Sequence, residues 1–211
     1  GSYTLDANTT GDANTALGKD SLTANTTGAG NVAIGKGAMA AVTTGNEHVA
    51  VGKGALAAVT TASESTAIGY NALAALTTGV RNTALGFRAL DAATTSQNNT
   101  AVGYKSLFTI TDSGPHNTAI GANCMLVATS ARSNTAVGDG TLTSLTTGDQ
   151  NVAMGHNTLG NATTASRNTV IGAGEVGSNI AAGYNITTGN DNTLIGASAG
   201  TTLSTGDENT V

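Results

Sequence analysis

The aliphatic positions of this chain fall at fixed offsets from a recurring phrase, of which Asn82-Thr83-Ala84-Leu85-Gly86 is the plainest copy. Eleven copies close on glycines 18, 35, 52, 69, 86, 103, 121, 138, 155, 172 and 196, spaced by 17 residues except for one interval of 18 and one of 24. A period held over nearly the whole chain marks a repeat protein, whose units are each too small to bury their aliphatics alone. Thr83-Ala84-Leu85 is short, β-prone and bounded by Asn and Gly, which predicts one strand per repeat. Side chains alternate along a strand, so Thr or Val shares a face with the aliphatic before Gly (Leu17, Ile34, Val51, Ile68, Leu85 and their successors) and Ala takes the other. The aliphatic face is expected to fill the coil, and the Ala face to admit something at close range, such as another chain.

The second half of each repeat carries aliphatics three apart, as at Leu73 and Leu76, Leu56 and Val59, or Met39 and Val42. That spacing puts both on one side of a helical turn, and the intervening Ala residues favour helix; a second strand is the alternative. Thr77-Thr78-Gly79 then reads as a turn into the next phrase. The expected fold class is mainly β: a β-solenoid, β-roll-like, of about eleven 17-residue coils. Each coil would hold one short strand plus a helical turn or second strand. With ~4.8 Å between stacked strands, the rod would be roughly 50 Å long.

The array starts early, since residues 5–11 match residues 22–28. A one-residue insertion falls near Ser113-Gly114-Pro115-His116, and seven extra residues fall within 173–185. Such insertions map to surface loops of a stack. No linker or change of composition divides the chain, so residues 3–211 form a single repeat domain. Gly1-Ser2 resembles a leader left by cloning, and Asn209-Thr210-Val211 opens a further phrase. The expectation is an excised fragment, parted from any targeting signal or neighbouring domain.

Composition narrows the function. Only 10% of residues are charged and 3% aromatic, and the formal net charge is −5. That balance gives no electrostatic footprint for nucleic acid or an anionic membrane. No apolar run approaches the ~20 residues of a membrane span, so no membrane insertion is expected. Cys124 is the single cysteine, which excludes an intrachain disulfide and a cysteine metal cage. It stands in a column of small residues with Ser21, Ala38, Ala55, Ala72, Ala89 and Ser106, as a buried structural thiol would. His48, His116 and His156 occupy three different columns and share no metal-ligand spacing. The column of Glu47, Glu64 and Glu208 reads as a solvated edge. No catalytic constellation stands out, and neither an enzyme, a metal nor a cofactor is expected.

Three columns remain as candidates. The phrase opens with Asn in nine of eleven copies, at Asn14, Asn31, Asn82, Asn99, Asn117, Asn134, Asn151, Asn168 and Asn192. Stacked amides form structural ladders, and Asn also suits a tight corner; the functional alternative is a polar ligand-binding row. A Thr column (Thr26, Thr43, Thr60, Thr77, Thr94, Thr111, Thr129, Thr146, Thr163) could match an ice lattice, or its hydroxyls could satisfy local backbone groups. The column after Gly is the most variable, with Lys19, Lys36 and Lys53 followed by Tyr70, Phe87 and Tyr104 on successive coils. An exposed aromatic strip there offers a platform for sugar rings. The alternative is that the rings pack on one another, at about 1 kcal/mol per pair.

The phrases in residues 65–79 and 99–107, Asn/Ser-Thr-Ala-Ile/Val-Gly-Tyr-x-Ala/Ser-Leu with Thr-Thr-Gly closing the first, resemble repeats of phage tail-fibre-like and bacterial surface proteins. Those proteins often end in an endosialidase-type intramolecular chaperone. Asn31-Val32-Ala33-Ile34-Gly35 is similar to the head repeats of trimeric autotransporter adhesins, whose repeats are shorter. The resemblance spans essentially the whole chain. It implies a homotrimeric fibre segment, extracellular, on a virion tail fibre or a bacterial cell surface, that attaches to a host-cell glycan or protein receptor. The competing class is an ice-binding solenoid.

Overall fold

The computed structural model of the protein describes residues 1–111, 114–174 and 181–211. Part of each expected insertion, at 112–113 and 175–180, lies outside the described residues. Each phrase forms one three-residue strand: β1 Thr15–Leu17, β2 Val32–Ile34, β3 Val49–Val51, β4 Thr66–Ile68, β5 Thr83–Leu85, β6 Thr100–Val102, β7 Thr118–Ile120, β8 Thr135–Val137, β9 Val152–Met154, β10 Thr169–Ile171 and β11 Thr193–Ile195. All join one parallel sheet in chain order. Equivalent residues pair, as in Thr83↔Thr100, Ala84↔Ala101 and Leu85↔Val102. The chain is therefore a β-solenoid, with like residues stacked in files along its axis. Before β1, the Thr4 hydroxyl donates to the Gly18 carbonyl at 2.6 Å and extends the stack towards the N-terminus.

The strand faces are the reverse of the sequence expectation. The central residue points inward: Ala33, Ala50, Ala67, Ala84 and Ala101 are fully buried. The flanking Thr or Val and the aliphatic before Gly point out, with Leu85 45% exposed. The reason is width. The opposite wall of the coil already supplies Leu73 and Leu76, Leu56 and Val59, or Met39 and Val42, all fully buried. Against those large side chains a strand in a thin coil has room for a methyl group and little more.

The second half of the repeat is neither the expected helical turn nor a second strand. No helix occurs among the described residues, and the segment is a run of turns. Arg88 and Leu90 sit at φ 55° and 53°, on either side of Ala89, and the pattern recurs at Asn71 and Leu73 or Lys105 and Leu107. Left-handed residues at alternate positions cannot continue a right-handed helix. The amides are spent between coils instead: Leu73 N–H donates to the Ala89 carbonyl at 3.0 Å and Ala75 N–H to Asp91 at 3.1 Å. An i→i−3 bond, Leu76 N–H to Leu73 carbonyl at 3.3 Å, keeps both leucines on one side. Spacing by three thus reports a shared face here without reporting a helix.

The phrase glycine is required twice over. Gly86 has φ 144°, and a Cβ there would stand 2.3 Å from the Gly103 carbonyl oxygen of the next coil. Only a residue without a side chain lets the corners stack so closely.

Candidate functional site

The Asn file forms a continuous ladder. Asn134 backbone N–H donates to Asn117 Oδ1 at 3.0 Å, and its Nδ2 donates to the same oxygen at 3.1 Å and to the Gly148 carbonyl at 2.9 Å. Asn151 N–H in turn donates to Asn134 Oδ1 at 2.9 Å. Asn31, Asn82, Asn99, Asn151, Asn168 and Asn192 are likewise buried, with Asn117 and Asn134 nearly so and Asn14 half-buried at the end of the file. The amides spend their donors and acceptors on one another and on the backbone, which leaves no polar row facing solvent.

Two coils depart from Asn. His48 takes its place by imitation: its N–H donates to Asn31 Oδ1 at 3.0 Å, Nδ1 accepts from Ser65 N–H at 3.2 Å, and Nε2 lies 2.7 Å from the Ala62 carbonyl. Those partners require the neutral imidazole with its proton on Nε2. Burial lowers the His48 pKa from its ordinary value, and the contacts to Ala62 and Ser65 only partly offset this. Ser65 keeps just one arm of the ladder, its Oγ accepting from Asn82 N–H at 3.2 Å.

The turn Thr column is also occupied. Thr77 Oγ1 donates to the Thr94 carbonyl at 3.0 Å, Thr26 to Thr43 at 3.0 Å and Thr146 to Thr163 at 2.9 Å, coil after coil. A further ladder escaped the sequence reading. Ala29 N–H donates to Asn46 Oδ1 at 2.8 Å, Arg132 N–H to Asp149 Oδ1 at 2.8 Å, and Asp149 N–H to Ser166 Oγ at 3.0 Å. Its signal was the recurrence of Asn, Ser and Asp two places before the main ladder, blurred by Val80, Gln97, Pro115 and Arg132 in the same column. Cys124 is fully buried, and burial raises its thiol pKa to about 12.

The surface holds three features. The first is the outward strand face, two files running from β1 to β11, with Leu17, Ile68, Leu85, Ile120, Met154, Ile171 and Ile195 exposed in the aliphatic file. Eleven strands at ~4.8 Å by three residues at ~3.3 Å make a strip of about 500 Å². Its apolar part is the aliphatic file, since the other outward file is mostly Thr, with Val32, Val49 and Val152.

The second is the corner after Gly. Tyr70 and Phe87 stack with ring centroids 5.2 Å apart and planes inclined by 12°. Phe87 and Tyr104 repeat this at 5.5 Å and 12°. All three rings are exposed, yet their faces are turned to one another. Lys53 Nζ lies 5.6 Å from the Tyr70 ring centre and Lys105 Nζ 5.3 Å from that of Tyr104.

The third is the corner before Asn, where Ala29, Gly30, Asn46, Glu47, Ser63 and Glu64 line a shallow open groove. Arg81 lies 3.8 Å from Glu64, one of its lining residues. Among the described residues, no three His, Cys, Asp or Glu side chains gather where a metal ion could be held.

Comparison with known proteins adds no likeness: no family model, no curated protein and no solved structure matches the chain.

Proposed function

We propose that the chain is a structural and adhesive segment of a homotrimeric extracellular fibre, of the phage tail-fibre or bacterial surface-adhesin kind, that presents binding surface to a host cell. The observation that carries this reading is the outward strand face. A file of aliphatic side chains along the whole sheet is costly to leave in water, and a second and third copy laid alongside would cover it. The rest of the molecule suits a passive rod. The Asn file is committed to a ladder, the core is built from files of alanine and larger aliphatic side chains, and among the described residues no helix is long and apolar enough to cross a membrane. A trimer carries three copies of any surface site, so weak contacts to a glycan or protein receptor gain avidity through effective concentration.

Molar mass in solution tests the premise. Light scattering should return about three times the 20.5 kDa chain mass, and the trimer should bind host cells or their surface glycans; a monomer at micromolar concentration ends the fibre reading.

One observation favours a second reading. The outer strand file is mostly Thr (Thr66, Thr83, Thr100, Thr118, Thr135), regularly spaced on a flat sheet, as an ice-binding face requires. The same face cannot serve both ends, since a trimer buries it. Thermal hysteresis in dilute solution would select the ice-binding solenoid, and its absence the fibre.

A further inference from the structure

We propose that the corner after Gly, from Lys19 to Lys105, is a binding strip for a linear acidic polysaccharide. The inference rests on the attachment reading above and gives it a ligand chemistry.

The chain has eight cationic side chains against thirteen acidic ones, yet five of the eight, Lys19, Lys36, Lys53, Arg88 and Lys105, lie along this one corner. Lys19, Lys36 and Lys53 stand on successive coils and are exposed. Stacked coils repeat at ~4.8 Å, so the strip from Lys19 to Lys105 is about 24 Å long. Internal neutralisation is slight. Lys19 lies 3.8 Å from Asp20 and Arg88 pairs with Asp91, while Lys36, Lys53 and Lys105 have no carboxylate within 4.0 Å among the described residues. The opposite end of the strands holds no such cationic file: Glu47 and Glu64 stand there on successive coils, and Arg81 in the same column lies 3.8 Å from Glu64. A polyanion is therefore drawn to the lysine corner rather than to the other.

The aromatic geometry narrows the class. A ligand that binds by stacking, such as a nucleobase, needs an open ring face. Here Tyr70, Phe87 and Tyr104 close their faces on one another, and the Lys53 and Lys105 ammonium groups lie against the two outer rings. What remains towards solvent is a row of ring edges, phenol hydroxyls and ammonium groups. Those groups pair with carboxylates or sulfates and hydrogen-bond sugar hydroxyls, at intervals a linear chain can follow. A neutral glycan would find the hydroxyl partners without the charges, and so would be held far less.

The test measures binding of the intact protein to immobilised polygalacturonate, dextran sulfate, neutral dextran and oligo-dT at low and physiological salt. Retention on one or both acidic glycans, weakened by salt, with none on neutral dextran, is the expected result. Retention on polygalacturonate alone assigns the carboxylate class, and on dextran sulfate alone the sulfate class. Lys36→Ala with Lys53→Ala should lower affinity on the order of tenfold. Glu47→Gln with Glu64→Gln should leave it equal or tighter. No retention on either acidic glycan, tighter binding to oligo-dT, or full retention by the lysine variant would overturn the proposal. Molar mass and cell binding, measured on the same samples, separate the two levels: a trimer that binds cells but neither acidic glycan refutes the strip and leaves the fibre, whereas a monomer refutes the fibre.

Discussion

Leu194 fills the space that a side chain at Gly200 would occupy: a Cβ there would stand 2.6 Å from Leu194 Cδ1. In the ordinary layer a small strand residue, Ala84, lies inside the coil with a large wall residue, Leu90. In the layer of β11 the sizes are exchanged across the coil, and Val170 with Gly183 begins the same exchange one layer earlier, where a Cβ on Gly183 would lie 3.3 Å from Val170 Cγ1. Leu194→Ala should therefore cost about 2–5 kcal/mol by opening a cavity. Gly200→Leu alone should cost about 1–3 kcal/mol by overpacking. Together they rebuild the standard layer, since the other leucines of that column already sit near φ 50°. Denaturation of the four proteins should show the double variant more stable than the sum of the singles by more than about 1 kcal/mol. Simple additivity would mean that the two positions do not share one volume.

The ladder makes two opposite predictions. Asn134→Ala removes the acceptor of Asn151 N–H and the donor to Gly148, both in the interior, and should destabilise by about 2–4 kcal/mol. Ser65→Asn puts back an arm that the serine is too short to supply, towards the Gly79 carbonyl, and should stabilise by about 1 kcal/mol. Urea midpoints of the two variants check both signs.

These cases show what the sequence carried. The period, the strand, the parallel stacking and the Asn ladder were all legible, because each leaves one residue type at one offset, as at Asn82, Ala84 and Gly86. The inside of the coil was not. Alternation says that Ala84 and Leu85 oppose one another, and hydrophobicity alone assigned Leu85 to the core. Deciding otherwise required knowing that Leu73 and Leu76 already filled the far wall. The turns were hidden for a related reason. Leucine at φ 53° has no sequence signature, whereas the spacing of Leu73 and Leu76 has a misleading one. The aromatic file was legible as a file, but only the 12° inclination of the rings shows that their faces are closed.

His48 should make stability depend on acid. Its folded pKa lies below the ordinary value near 6.5, because burial penalises the charged ring more than the contacts to Ala62 and Ser65 offset. As pH falls through about 6.5 the unfolded chain takes up a proton that the folded chain refuses. Stability is full above that pH and drops below it, by up to about 1.4 kcal/mol per unit until the folded pKa is reached. His48→Asn restores the ladder amide and should flatten this limb. Thermal midpoints between pH 5 and 7.5 that fall equally in both proteins would assign the acid sensitivity elsewhere.

Cys124 should be silent to thiol reagents while the coil is closed. The side chain is buried, and with a pKa near 12 almost none of it is thiolate at pH 8. Labelling should proceed only through unfolding, at a rate that tracks denaturant concentration. Immediate labelling of the native protein would show that the layer holding Cys124, Met125 and Ala128 opens on its own.

The faces of the strand can be tested against each other at β5 and β6. Leu85 is 45% exposed and Val102 half-buried on the outward side, whereas Ala84 and Ala101 are fully buried. Leu85→Glu with Val102→Glu should leave the single coil almost as stable, within about 1 kcal/mol, since neither side chain supports the interior. In a trimer built on that face, six carboxylates would be brought together in a water-poor seam, and association should fail. The expected result is a folded monomer with unchanged circular dichroism. Ala84→Leu should do the reverse, costing about 1–3 kcal/mol by overpacking against the far wall. If Leu85→Glu unfolds the chain and Ala84→Leu disperses a trimer, then Ala faces the partner and the aliphatic file the core.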